Sequence, residues 1–189
     1  GRLGSMFGSD HYGIQPDFMT IAKGLTSAYA PLSGSIVSER VWKVLEQGAD
    51  EFGAIGHGWT YSAHPIGAAA GVANLTLVDE MNLVANAAET GAYFKAQLTE
   101  KIGDHPNVGE VRGDGLLCAV ELVRDRASRT FFEPSAAVGA KAVGALLRQG
   151  VIARAMPQGD IIGFAPPLCI TRGEIDRIVE ACRVALSEI

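Results

Sequence analysis

Two long helical segments meet head to tail near the middle of this 189-residue chain, and that junction constrains its fold more than any other feature. Pro65 suits the first turn of a helix, where its missing N–H is not needed, and the pattern predicts helix from there to about Glu80. A second helix is expected from Asn82 to about Ile102, with Leu83, Ala87, Gly91, Phe94, Leu98 and Ile102 on one stripe. A single polar cap separates the two, which places a bend between parts of the protein. The first helix is built from small residues (Gly67, Ala68, Ala69, Ala70, Gly71, Ala73), so it can approach other backbone closely and is expected to be central.

Short runs flank this pair. Gln15 to Ala22 and Leu32 to Val37 read as strands; Ser38 caps a helix expected to end at Gly48. An aromatic and glycine loop, Phe52 to Tyr61, follows. Beyond a boundary placed near Gly103 the texture changes. Val108 to Arg112 and Leu116 to Val123 flank the turn sequence GDG, Ser135 to Gln149 is helical, and Val151 to Ala155 and Ile161 to Ala165 are short strands. Thr171 and Glu174 form a capping box for a last helix with Ile175, Ile178, Val179, Cys182 and Leu186 on one face. The expected organisation is therefore an α/β chain with one domain over 1–103 and a smaller one over 104–189.

Charge and composition exclude some functions. The net charge is −5 with no run of Lys or Arg, so the basic surface that nucleic acid requires is missing. The most apolar stretch, Ile66 to Val78, is interrupted by Gly, Asn and Thr, so no membrane span is expected. Cys118, Cys169 and Cys182 are odd in number and set among apolar residues, as suits buried thiols in a reducing compartment; the cytoplasm is expected. The opening GRLGSMFG has no initiator Met and no signal-peptide pattern, and reads as the interior of a longer sequence.

Three places could carry chemistry. Lys23 ends an apolar, β-prone run and precedes Gly24, which permits close approach of a ligand. A lysine that attacks a carbonyl must be neutral, yet an ordinary one with a reference pKa of ~10.4 is almost wholly protonated at pH 7. Burial or a neighbouring cation removes that deficit. A strand-end lysine among small residues is thus a Schiff-base candidate, against the alternative of a solvated surface charge. In HGWTYSAHP, the hydroxyls of Thr60 and Ser62 precede the helix that begins at Pro65, where free N–H groups and the helix dipole make a phosphate seat. The alternative there is that Ser62 is an N-cap and Thr60 a loop hydroxyl. His57 and His64 belong to no recognisable ligand motif and are read as structural or as supporting residues behind a site, with no metal expected. A nucleotide-phosphate role for Lys23 is disfavoured, because no G-x-x-x-x-G-K-[ST] pattern is present.

Together DFMTIAKGLTSAYAPLSGSIVS, HGWTYSAHPIGAAAG, VRGDGLLCAVEL and GVIARAMPQGDIIGFAPPLCIT resemble the class III pyridoxal-phosphate (PLP) aminotransferases, in particular their ω-amino acid:pyruvate branch. The resemblance extends over the whole chain, and implies the fold-type-I architecture of PLP-dependent transferases: the C-terminal part of the large cofactor domain followed by the small C-terminal domain. It implies that Lys23 holds PLP as a Schiff base and shuttles the substrate proton, and that Thr60, with the Trp59 N–H beside it, binds the cofactor phosphate across a dimer interface. Arg154 matches a mobile arginine that pairs with a substrate carboxylate; the alternative is a strand-edge arginine paired with Asp160. The partners implied are an amino donor, a keto acid acceptor and a second subunit, in a homodimer or dimer of dimers. Family members are about twice as long, and their first half carries a phosphate-binding Gly/Ser turn, a stacking aromatic and the aspartate on the ring nitrogen. Two other readings accompany this one: a non-catalytic folded or dimerising remnant of such an enzyme, and an aminomutase or decarboxylase of the same fold.

Overall fold

The computed structural model describes residues 1–189. In chain order its elements are α1 (Gly8–His11), β1 (Phe18–Ile21), a 3₁₀ turn (Lys23–Leu25), β2 (Gly34–Val37), α2 (Glu39–Phe52), α3 (Pro65–Glu80), α4 (Leu83–Ile102), β3 (Val108–Asp114), β4 (Leu117–Leu122), a 3₁₀ turn (Pro134–Ala136), α5 (Val138–Arg148), β5 (Arg154–Ala155), β6 (Ile161–Phe164) and α6 (Arg172–Leu186). The chain forms two compact units, Tyr12–Asn82 and Gly1–His11 with Leu83–Ile189. The division falls between α3 and α4, at Asn82 with its positive φ of 51°, and not near Gly103. The physical reason is α4: its stripe of Ala87, Phe94, Leu98 and Ile102 is buried in the core of the second unit, so the helix cannot belong to the first.

In the unit Tyr12–Asn82, β1 and β2 form an antiparallel ribbon in register from Phe18↔Val37 to Ile21↔Gly34. Ser38 links it to α2, accepting the Val41 N–H at 3.4 Å and donating to the Asp17 carboxylate at 2.8 Å. The Asp17 carboxyl also pairs with Arg40, and hydrogen bonds from Arg40 and Ser38 hold its pKa below the usual carboxylate range. The helix runs past Gly48 to Phe52 and stops at Gly53, whose backbone (φ +89°, ψ 177°) is a conformation that glycine adopts readily and other residues avoid. Gly48 imposes only a propensity cost of about 1 kcal/mol, too little to end a helix. Along α3, Gly67, Gly71 and Val78 are buried while Ile66, Val72, Leu75 and Leu77 are exposed, so within this chain the small-residue helix is one-sided and not central. Its glycine face meets the 25–32 loop: a Cβ on Gly67 would lie 2.9 Å from the Pro31 carbonyl oxygen, and one on Gly71 2.8 Å from Leu32 Cδ2.

The other unit holds the main core. Its sheet is antiparallel with strand order β3-β4-β6-β5, and α4 and α6 pack against one another beside it. Alternation along β4 turns Cys118, Val120 and Leu122 inward, and register aligns Cys118 with Phe164 and Val120 with Ile162. The Phe94 and Phe164 rings meet edge to face at 5.6 Å, an arrangement favoured by the aromatic quadrupole. Leu146, Ile175 and Leu186 close the core from α5 and α6. The Thr171 and Glu174 capping box forms as expected. The helix expected from Ser135 is broken at Ala137 (φ +48°) into a 3₁₀ turn and α5, whose Gly139 N–H donates to Asp160 Oδ1 at 2.7 Å. The strand expected from Val151 narrows to Arg154–Ala155. No helix is long and apolar enough to cross a membrane.

Candidate active site

Lys23 stands where β1 ends. Its backbone has φ +53° and opens the 3₁₀ turn Lys23–Leu25, so the chain kinks at the lysine and the strand cannot continue. The Lys23 carbonyl accepts the Thr26 and Ala28 N–H groups, both at 3.3 Å. Thr26 is buried, and its hydroxyl donates to the Ala30 carbonyl at 2.6 Å, closing the loop on itself. The Lys23 side chain is exposed and takes part in no ion pair, and a Cβ on Gly24 would meet nothing within 4 Å. The apolar enclosure expected around the lysine is therefore not formed within this chain. A ribbon of two four-residue strands cannot bury an amine on either face, and Phe18 on β1 is itself 63% exposed.

The Phe52–Tyr61 loop leads into α3 through a turn in which the Ser62 N–H donates to the Trp59 carbonyl at 2.9 Å and the Trp59 N–H donates to Ser62 Oγ at 3.0 Å. Ser62 is thus not the N-cap. That position belongs to His64, which caps with no side-chain hydrogen bond, leaving the first N–H groups of α3 without a side-chain acceptor. Thr60 is exposed and its hydroxyl has no partner in the chain. His57 and His64, both exposed, lie near the Trp59 and Tyr61 rings at centroid separations of 5.7 and 6.0 Å.

Arg154 sits on β5 opposite Gly163 of β6, exposed. It does not pair with Asp160, whose carboxylate is spent on α5. Lys23, Trp59 and Thr60 belong to the unit Tyr12–Asn82 and Arg154 to the other. Two residues that the sequence did not single out join the lysine turn to α3: Asn74 donates to the Gly24 and Leu25 carbonyls at 2.9 and 3.1 Å, and Ser27 donates to Asn74 Oδ1 at 2.6 Å. The contact spans about fifty positions, and no local pattern announces it. Of the cysteines, Cys118 and Cys182 are buried as expected but Cys169 is exposed, because it lies in the loop before α6 and not on a core-facing strand.

The Aminotransferase class-III family model matches residues 1–186. The chain belongs to the class III aminotransferases. It is 58% identical over its full length to the diaminobutyrate–2-oxoglutarate transaminase of Halomonas elongata and 39% identical to the putrescine–pyruvate aminotransferase of Pseudomonas aeruginosa. Among solved structures it superposes on a transaminase from a directed-evolution study by ancestral reconstruction with a TM-score of 0.96 at 62% identity. An (S)-enantioselective ω-transaminase from Thermomicrobium roseum gives 0.90 at 44%. In each case the whole chain is covered, and it spans about 40% of the length of the relative. The mixed helix-and-sheet fold is that of the PLP-dependent transaminases, in part.

The residues present fit the family's cofactor. An amine free of carboxylate partners can bond to an aldehyde, and helix N–H groups without a side-chain acceptor, with the Thr60 hydroxyl in the loop that precedes them in sequence, suit a phosphate dianion.

Proposed function

We propose that the protein carrying this chain moves an amino group from an ω-amino acid or amine to pyruvate or another keto acid, with PLP as cofactor. The single observation that carries this reading is the unpaired amine of Lys23 at a kinked strand end, within a chain whose family is built on such chemistry. When bound, PLP supplies an electron sink that stabilises negative charge at the substrate carbon. Lys23 Nζ would anchor the cofactor through its aldehyde and would be the base that holds the proton of the substrate Cα. The Thr60 hydroxyl and the α3 N-terminus would hold the phosphate. The Trp59 N–H, which donates to Ser62 Oγ at 3.0 Å, would have to leave that acceptor to join them. The absence of any partner for Thr60 within the chain suits service to the site of a second subunit, in a homodimer or dimer of dimers. Arg154, exposed and not engaged by Asp160, offers a planar guanidinium fork for the substrate carboxylate. Three free cysteines suit the reducing cytoplasm.

Borohydride treatment of the full-length protein with PLP tests the assignment. The reductively fixed pyridoxyl group is expected on the peptide containing Lys23, and Lys23→Ala is expected to lower kcat by about 10²–10⁴-fold, the contribution of a positioned proton-transfer group. Label on another lysine, or a Lys23→Ala enzyme that transaminates at the parental rate, overturns it.

A further inference from the structure

We propose that Asn74 is a positioning residue for Lys23, a role that rests on Lys23 being the cofactor lysine. Three non-glycine residues of the turn, Lys23, Ser27 and Ala28, adopt left-handed backbone conformations (φ 53°, 47° and 64°). L-residues avoid that region, and such strain persists only where surroundings over-determine it. Asn74 supplies that determination. Its amide donates both to the Gly24 carbonyl at 2.9 Å and to the Leu25 carbonyl at 3.1 Å, and its oxygen accepts the Ser27 hydroxyl at 2.6 Å. The other hydrogen bonds that close the turn, Leu25 N–H to the Ala22 carbonyl, Thr26 and Ala28 N–H to the Lys23 carbonyl, Tyr29 N–H to the Thr26 carbonyl and Thr26 Oγ1 to the Ala30 carbonyl, all lie within the local segment itself. Asn74 is the side chain that ties it to a helix.

The geometry of α3 makes the clamp possible. Gly71, almost one turn before Asn74, lets the helix come so close that a Cβ there would touch Leu32 Cδ2 at 2.8 Å and the Leu25 carbonyl oxygen at 3.9 Å. The same helix begins at the loop that carries Thr60. Asn74 therefore sets the turn that aims the lysine from the element that follows the proposed phosphate seat, and the direction of the Lys23 side chain depends on it through the backbone.

Asn74→Asp keeps size and the Ser27 contact but sets a carboxylate against two carbonyl oxygens; Asn74→Ala removes all three bonds; Ser27→Ala leaves both carbonyl contacts intact. In the full-length protein loaded with PLP, both Asn74 variants are expected to lose about tenfold in the rate of borohydride fixation at Lys23, as two lost hydrogen bonds of ordinary strength allow. The visible circular dichroism of the bound cofactor, which reads its orientation, is expected to change with them, while Ser27→Ala stays within about twofold in rate. Without cofactor, amide exchange of Thr26 and Ala28 is expected to quicken in Asn74→Ala while β1 and β2 are unchanged, which separates an opened turn from a failed fold. Fixation and dichroism at parental values in Asn74→Ala, whatever its melting temperature, overturn the role, as does unchanged Thr26 and Ala28 exchange. Should parental protein carry its label on a lysine other than Lys23, the underlying reading fails first and the role falls with it; label on Lys23 with unaffected Asn74 variants defeats the role alone.

Discussion

Single residues here are governed by what covers them. Burial pushes the Cys118 thiol up to about 11 and the Cys182 thiol up to about 12 from an ordinary 9.0. A thiol raised in the folded state contributes stability in full below its unfolded pKa, and that contribution is lost as pH rises toward the folded value. The chain is therefore expected to lose stability between about pH 9 and 11, where unfolded cysteines ionise and the buried ones do not. Urea midpoints measured across that range check it; in Cys182→Ala the loss is expected to be shallower. Cys169, exposed, should react with a thiol reagent in the native protein while the other two wait for unfolding. Lys23 shows the converse: its type and position were legible in the sequence, its surroundings were not. Asn74 was invisible, because an asparagine inside a helix carries no signal of a clamp on a turn fifty residues earlier.

Among the elements, helices were the most legible, because period, cap and stop are local. Pro65 began α3, and Thr171 and Glu174 began α6. Errors fell where two local signals competed: Gly48 against Gly53 for the end of α2, and an unforeseen left-handed Ala137 dividing one expected helix. Contact between elements was not local at all. Gly91 on α4 faces the β3–β4 turn so closely that a Cβ would lie 2.5 Å from the Gly115 Cα and closer still to its carbonyl. Gly115 itself has φ +51°, and Leu116 N–H donates to the Arg2 carbonyl at 2.8 Å, so the backbone there has little freedom to retreat. Gly91→Ala is expected to destabilise by about 1–3 kcal/mol or more through overpacking, despite its better helix propensity. Chemical denaturation measures this; a stabilised variant would contradict the close approach.

At the scale of the whole molecule, buried apolar residues concentrate in one unit. Nearly the whole core lies between Ala87 and Leu186, whereas the unit Tyr12–Asn82 buries little beyond Thr26, Gly67, Gly71 and Val78. Stability follows buried apolar area, so hydrogen exchange of this 189-residue chain is expected to show the strongest protection in β3, β4, α4 and α6 and much weaker protection in β1, β2 and α2. Equal protection across the two units would contradict that ordering. The sequence by itself determined the family, the chemical identity of the lysine, hydroxyl and guanidinium, and the approximate course of most helices and strands, because each is written in residue types at short spacing. Only the tertiary structure decided that α4 joins the C-terminal core, that the lysine turn is strained and held from α3, and which cysteine meets solvent, because these depend on which distant segments come to share a surface.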